Sequence, residues 1–165
     1  MARISRQQLI TYEELDSPTD LTAAEQATWQ AAHDATRHAY APYSGFQVGA
    51  ALLLADGTLF RGTNQENAAY PSGLCAERTA LFGLAANTPE HAPIVGMAVA
   101  ARPAGGAFGA AFPCGACRQV MLEYESRQAR PIALLLPSRA GTILRFNSVT
   151  DLMPFNFSAD DLPML

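Results

Sequence analysis

Cys75-Ala76-Glu77 and, further along, Pro113-Cys114-Gly115-Ala116-Cys117 hold all 3 cysteines of the chain, with a glutamate two residues after the first. A closed structural zinc site takes four protein ligands, whereas a catalytic site keeps one position for water or substrate. Cys75, Cys114 and Cys117 fill three positions as thiolates and leave the fourth open. Glu77 is the titratable side chain that the sequence sets beside such a site. The bland alternative is three small buried apolar side chains, which is what free cysteine often is. Here a Cys-x-x-Cys, a further cysteine and an adjoining carboxylate coincide, and that combination favours a metal. An odd cysteine count, without a secretory segment or a disulfide-dense small scaffold, argues against a disulfide.

Such thiols are best placed at helix starts, where unpaired N–H groups and the positive end of the dipole stabilise thiolate. Leu74 to Ala86 and Cys114 to Glu125 both read as helices that begin at the metal motifs. Three thiolates overcompensate a dication by one negative charge, which would blunt its power to acidify water. Arg78, directly after Glu77, is the candidate to offset the excess by hydrogen bonding to a sulfur, with a surface ion pair as its alternative role.

The remaining elements follow from pattern. Residues 1–20 are polar, carry Ser17-Pro18 and read as a loosely attached N-terminal arm, with 21–165 as a single catalytic domain. Thr22 to Ala41 reads as a helix, capped by Thr22 with Glu25, striped by Trp29, Ala32, Ala35 and Ala39, and ended by Pro42. Phe46 to Ala55 and Thr58 to Thr63 form a hairpin about Asp56-Gly57. Ile94 to Ala101 and Ile132 to Leu136 are short buried strands, separated by a Gly/Ala-rich loop from Arg102 to Ala111 and the second metal helix. Pro137 to Gly141 is too short for a parallel crossover, so Thr142 to Phe146 should pair antiparallel with the strand before it. The fold expected is α/β, a three-layer α/β/α sandwich around a mixed five-stranded sheet.

Composition excludes some functions. At 165 residues, 49% hydrophobic and 16% charged, the chain suits one globular core. A formal charge of −4 disfavours a broad phosphate-binding surface, and hence nucleic acid as a partner. No apolar run is long enough to span a bilayer, so no membrane partner is expected, and a soluble cytoplasmic protein is. All 11 basic residues are arginines, a bias with no functional account. His33, His38 and His91 read as surface or capping residues rather than as a further ligand.

Asn64 and Glu66 alternate at the end of the second hairpin strand, pointing the same way just before the first metal motif. An amide and a carboxylate can together donate to and accept from a sugar hydroxyl, although alone they would read as turn residues.

The chain resembles the cytidine deaminases of the small, homotetrameric, three-cysteine kind. The likeness runs from about Ala31 to Leu162 through Ala39-Tyr40-Ala41-Pro42-Tyr43-Ser44-Gly45-Phe46-Gln47-Val48-Gly49-Ala50-Ala51, Asn64-Gln65-Glu66-Asn67-Ala68-Ala69-Tyr70, Cys75-Ala76-Glu77-Arg78-Thr79-Ala80 and Pro113-Cys114-Gly115-Ala116-Cys117-Arg118-Gln119. The resemblance implies the same sandwich, with one zinc per subunit on Cys75, Cys114 and Cys117, Glu77 as proton shuttle and Arg78 hydrogen-bonded to the thiolates. It implies that Asn64 and Glu66 hold the ribose 3′-hydroxyl and that Phe46 packs on the pyrimidine, with Asn67, Tyr70 and Ala76 also in the substrate-contacting set. Leu152-Met153-Pro154-Phe155-Asn156-Phe157 is similar to a family segment whose last aromatic, here Phe157, reaches a neighbouring subunit's site; Phe155 nearby leaves open which ring does so.

The activity implied is hydrolytic deamination of cytidine and deoxycytidine to uridine and deoxyuridine, with no ranking of the two, since the sugar contacts address only the 3′ position. Other readings stand beside it. Asn64 and Glu66 argue against a deaminase of a free base or of a cytosine-containing antibiotic, acidic charge and antiparallel final strands against a nucleic-acid editor, and the missing fourth cysteine against a zinc-stabilised binding module.

Overall fold

The computed structural model describes residues 3–162. In chain order they form β1 (Glu13–Leu15), α1 (Ala23–Ala35), β2 (Phe46–Leu54), β3 (Leu59–Thr63), α2 (Ala76–Asn87), β4 (Ile94–Pro103), α3 (Gly115–Arg127), β5 (Ala133–Pro137) and β6 (Ile143–Phe146). The strands make one sheet in the order β1-β6-β5-β4-β2-β3, in which only the β4–β5 pair is parallel. α3 is the crossover between those two, while β5 and β6 pair antiparallel, as the short connection between them requires.

Side-chain alternation along the central strands builds the layers. Ala50, Leu52 and Leu54 of β2, Met97 and Val99 of β4 and Leu134 and Leu136 of β5 face α2 and α3. Ala51, Ala98, Ala100 and Leu135 face the other way, against Trp29, Ala31 and Ala32 of α1. Five of the nine buried residues on the α1 side are alanines, so the helix lies close to the sheet. Gly49 marks the closest approach, since a Cβ there would lie 2.8 Å from the Thr36 nitrogen.

The sheet has six strands, not five. The sixth, β1, comes from the arm expected to be loosely attached, and it pairs Glu13 with Arg145 and Leu15 with Ile143. Arg145 explains the attachment: it bonds Glu13 at 3.0 Å and Glu25 of α1 at 2.7 Å, and Tyr12 packs on Phe146 beside it. Glu25 is held below the ordinary carboxylate range by Arg145 and Thr22, which outweigh its partial burial. Helix α1 starts as expected, with Thr22 and Glu25 reciprocally bonded. It stops at Ala35, short of the expected Ala41, where Thr36 Oγ1 donates to the His33 carbonyl and a 3₁₀ turn over Thr36–His38 takes over.

One buried carboxyl ties α3 to the sheet. Glu125 accepts from the N–H groups of Ile132 (2.7 Å) and Val149 (3.0 Å) and from Ser148 Oγ (2.6 Å), joining α3 to the approaches of β5 and the chain after β6. Glu125→Ala strands two buried N–H groups and should cost about 3 kcal/mol, seen as a melting temperature lower by roughly 6–12 °C. A melting curve within 2 °C of the parent, roughly the spread of one weak contact, would contradict that anchoring.

Candidate metal and substrate site

Cys75 and Cys114 sit at the N-cap positions of α2 and α3, with extended backbone (φ −72°, ψ 155° and φ −68°, ψ 167°) and no capping bond from either sulfur. An N-cap side chain normally turns back onto its own helix; these two instead point at each other. Cys117, one turn into α3, lies on the same helix face as Cys114. The Cys75 and Cys114 sulfurs are 3.9 Å apart, those of Cys114 and Cys117 are 3.5 Å apart, and all three lie within 4.8 Å of one another. Tetrahedral zinc with bonds of about 2.3 Å would set its sulfurs about 3.8 Å apart. Two of the three separations thus match that ion closely, the three thiols suit it as a donor set, and three sulfurs leave one coordination position for a non-protein ligand.

Close approach of α2 to the sheet brings the first turn into place. Gly62 of β3 lies under it, and a Cβ there would come within 2.6 Å of the Ala76 carbonyl. Glu77 consequently packs inward and is 4% exposed. Burial raises its carboxyl above the ordinary range, and the nearby Cys75 adds to the rise. Among the thiols, the nearby Cys117 is the largest influence pulling Cys75 down to about 5, with Arg78 assisting, while the proximity of Cys75 and burial push Cys117 well up. Arg78 Nη2 lies 3.8 Å from Cys75 Sγ, so the cation stands where the excess charge was expected.

The substrate-side residues are gathered by a second set of contacts. Residues 64–66 are gripped from both sides, through Tyr40 N–H to the Asn64 carbonyl, Glu66 N–H to the Tyr40 carbonyl, and a reciprocal pair between Gln65 and Leu74. Leu74 precedes Cys75, so this strand end and the sulfur cluster are held in fixed relation. A cavity of about 550 Å³ opens over them, lined among others by Phe46, Asn64, Glu66, Asn67, Tyr70, Ala76, Glu77 and Arg78 together with Cys75 and Cys114. Every expected residue of a single-chain site is thus brought to one pocket or to the sulfur cluster in its floor.

Phe157 is not. It is 59% exposed, its carbonyl accepts from Gln119 Nε2 at 2.8 Å, and it lies outside the pocket of its own chain. Phe155 is 97% exposed with φ +60°. Sequence reasoning gave no role to Ser44, to Ala110-Ala111-Phe112, or to Arg118 and Gln119. Ala110 to Phe112 form a pocket wall, and their position just before Pro113 was the available signal. Arg118 bonds the carbonyls of Pro113 (2.9 Å) and Leu152 (3.2 Å), so the metal motif's last residues tether the segment bearing Phe157.

A mixed α/β sandwich that closes three thiols and a buried carboxyl around one open coordination position defines a zinc-dependent hydrolytic class. Residues 22–130 match the model of the "cytidine and deoxycytidylate deaminase zinc-binding region". A cytidine deaminase of Halalkalibacterium halodurans is 44% identical over 127 residues, covering 75% of this chain and 86% of that one. One from Mycobacterium tuberculosis is 37% identical over 132 residues, covering 80% and 88%. The crystal structure of the Burkholderia pseudomallei cytidine deaminase superposes with a TM-score of 0.68 at 41% identity, covering 83% of this chain and all of that one. The chain belongs to the cytidine and deoxycytidylate deaminase family.

Cys114→Ser should purify with far less than one zinc per chain, because a hydroxyl is a poor replacement for a thiolate donor. Elemental analysis of the purified variant is the check, and a full complement of zinc would remove Cys114 from the ligand set.

Proposed function

We propose that the chain hydrolyses cytidine and deoxycytidine to uridine and deoxyuridine with release of ammonia. The observation that carries this reading is the placement of buried Glu77 beside the three sulfurs, in a pocket whose wall also offers Phe46, Asn64 and Glu66. Zinc held by Cys75, Cys114 and Cys117 supplies, when bound, a Lewis acid that brings the pKa of water toward neutrality. Glu77 would take one proton from a water held over C4 and pass it to N3 as the water oxygen bonds to C4; it would then carry that oxygen's second proton to the exocyclic amine, which leaves as ammonia as the C4–N bond breaks. One carboxylate serves both transfers because the ring nitrogen and the leaving amine lie near the same oxygen.

Phe46 packs on the pyrimidine, and Asn64 and Glu66 receive the ribose 3′-hydroxyl; Asn67, Tyr70 and Ala76 complete the wall. Arg78 offsets the surplus thiolate charge through its bond to Cys75. The net charge of −4 supports a small nucleoside rather than a polynucleotide as the substrate. No described helix is long and apolar enough to cross a membrane. We place the enzyme in the cytoplasm, where reduced thiols persist.

The assembly we propose is a homotetramer in which Phe157 of one subunit closes the pocket of another. Its exposure, and its tether through Gln119 to the metal helix, support that placement. Glu77→Gln should keep zinc and fold while losing about 10²–10⁴-fold in kcat; undiminished turnover would remove the proton-shuttle role. Mixed and reassembled with an impaired Phe157→Ala chain, it should regain activity if subunits share sites. Mixtures no more active than the sum of the two would confine each site to one chain.

A further inference from the structure

Ser44 stands at the junction of the base-facing and sugar-facing sides of the pocket. Its Oγ accepts from the N–H of Phe46 at 3.0 Å and lies 2.6 Å from Glu66 Oε1. A carboxylate accepts only, so the single hydroxyl proton of Ser44 is committed to Glu66. The other oxygen, Oε2, accepts from the N–H groups of Tyr43 (2.9 Å) and Ser44 (3.3 Å). The Ser44 hydroxyl bond is the largest influence holding Glu66 below the ordinary carboxylate range. Two residues earlier in the same segment, Asn64 accepts from Val48 N–H and donates to the Phe46 carbonyl, both at 2.9 Å.

These bonds make one unit of Phe46, Ser44 and Glu66. With three donors already on a carboxylate that offers about four acceptor positions, one remains on Oε1, and a sugar hydroxyl can fill it only as a donor. An esterified or phosphorylated oxygen has no proton to give there.

We propose that Ser44 is a positioning residue for sugar recognition, setting the Glu66 carboxylate against Phe46 so that the hydroxyl contact and the base contact are made together. This rests on the reading of Glu66 as the 3′-hydroxyl contact. The Ser44 hydroxyl bonds Glu66 and Phe46 and none of the sulfurs, so its effect is on selectivity and is transmitted through Glu66. Threonine retains the hydroxyl; alanine frees Oε1 and leaves Glu66 held by the two N–H bonds to Oε2 alone.

The test compares zinc-loaded wild type, Ser44→Ala, Ser44→Thr and Glu66→Ala on cytidine and 3′-deoxycytidine, with kcat and KM measured separately. Wild type should prefer cytidine, and Ser44→Ala should lose about tenfold of that preference, through a raised KM for cytidine, while Ser44→Thr keeps it. Equal losses on both substrates with the preference intact would show a merely structural role and overturn the proposal, as would a Ser44→Ala enzyme indistinguishable from wild type. If wild type and Glu66→Ala both treat the two substrates alike, the Glu66 reading itself fails, and the role of Ser44 falls with it. Because the preference is a ratio within one preparation, partial misfolding of a variant does not move it.

Discussion

Three sulfur atoms within 4.8 Å of one another, with a buried carboxyl beside them, would if all ionised concentrate more negative charge than so close a cluster tolerates unaided. Every nearby feature reduces that cost. The N-termini of α2 and α3 each bring roughly half a positive charge, Arg78 brings a whole one to Cys75, and the sulfur spacing fits a dication. These contributions depend on the backbone before they depend on side chains. Gly62 lets the first turn of α2 descend on the sheet, and the parallel β4–β5 pair, with its α3 crossover, carries Cys114 and Cys117 to the same edge.

Small residues give the scaffold the rigidity the site needs. Alanines and Gly49 on the α1 face bring that helix against β2 and β4, fixing the strand from which Phe46 emerges. The Asn64–Glu66 segment is then clamped between Tyr40 and Leu74. The pocket wall and the sulfur cluster therefore share one frame. Such fixed placement of reacting groups is where an enzyme gains much of its rate.

The metal centre was legible from sequence because its chemistry needs particular residue types at short spacing: Cys-x-Glu and Cys-x-x-Cys announce themselves without knowledge of the fold. The hairpin was equally plain, since Asp56-Gly57 supplies the turn and Gly57 adopts φ +88°. What escaped notice depended on distant partners. β1 is three residues with two glutamates, and its stability comes from Arg145, 132 positions from Glu13. The early stop of α1 is a local exception: Thr36 Oγ1 donates to the His33 carbonyl and a 3₁₀ turn follows. Ala110 to Phe112 lie in a Gly/Ala-rich stretch with no periodicity, and only the folded chain brings them to the pocket. Ser44 lay within a recognised motif, but its bond to Glu66 spans 22 positions and no local pattern encodes it.

The most direct test follows the ultraviolet absorbance of the cytosine chromophore as purified, zinc-loaded protein is given cytidine, deoxycytidine, cytosine and cytidine 5′-monophosphate in parallel. Conversion of both nucleosides, with the free base and the nucleotide left unchanged, is the expected result and would join the metal chemistry to sugar recognition in one site. No conversion of either nucleoside by protein that demonstrably holds zinc would contradict it.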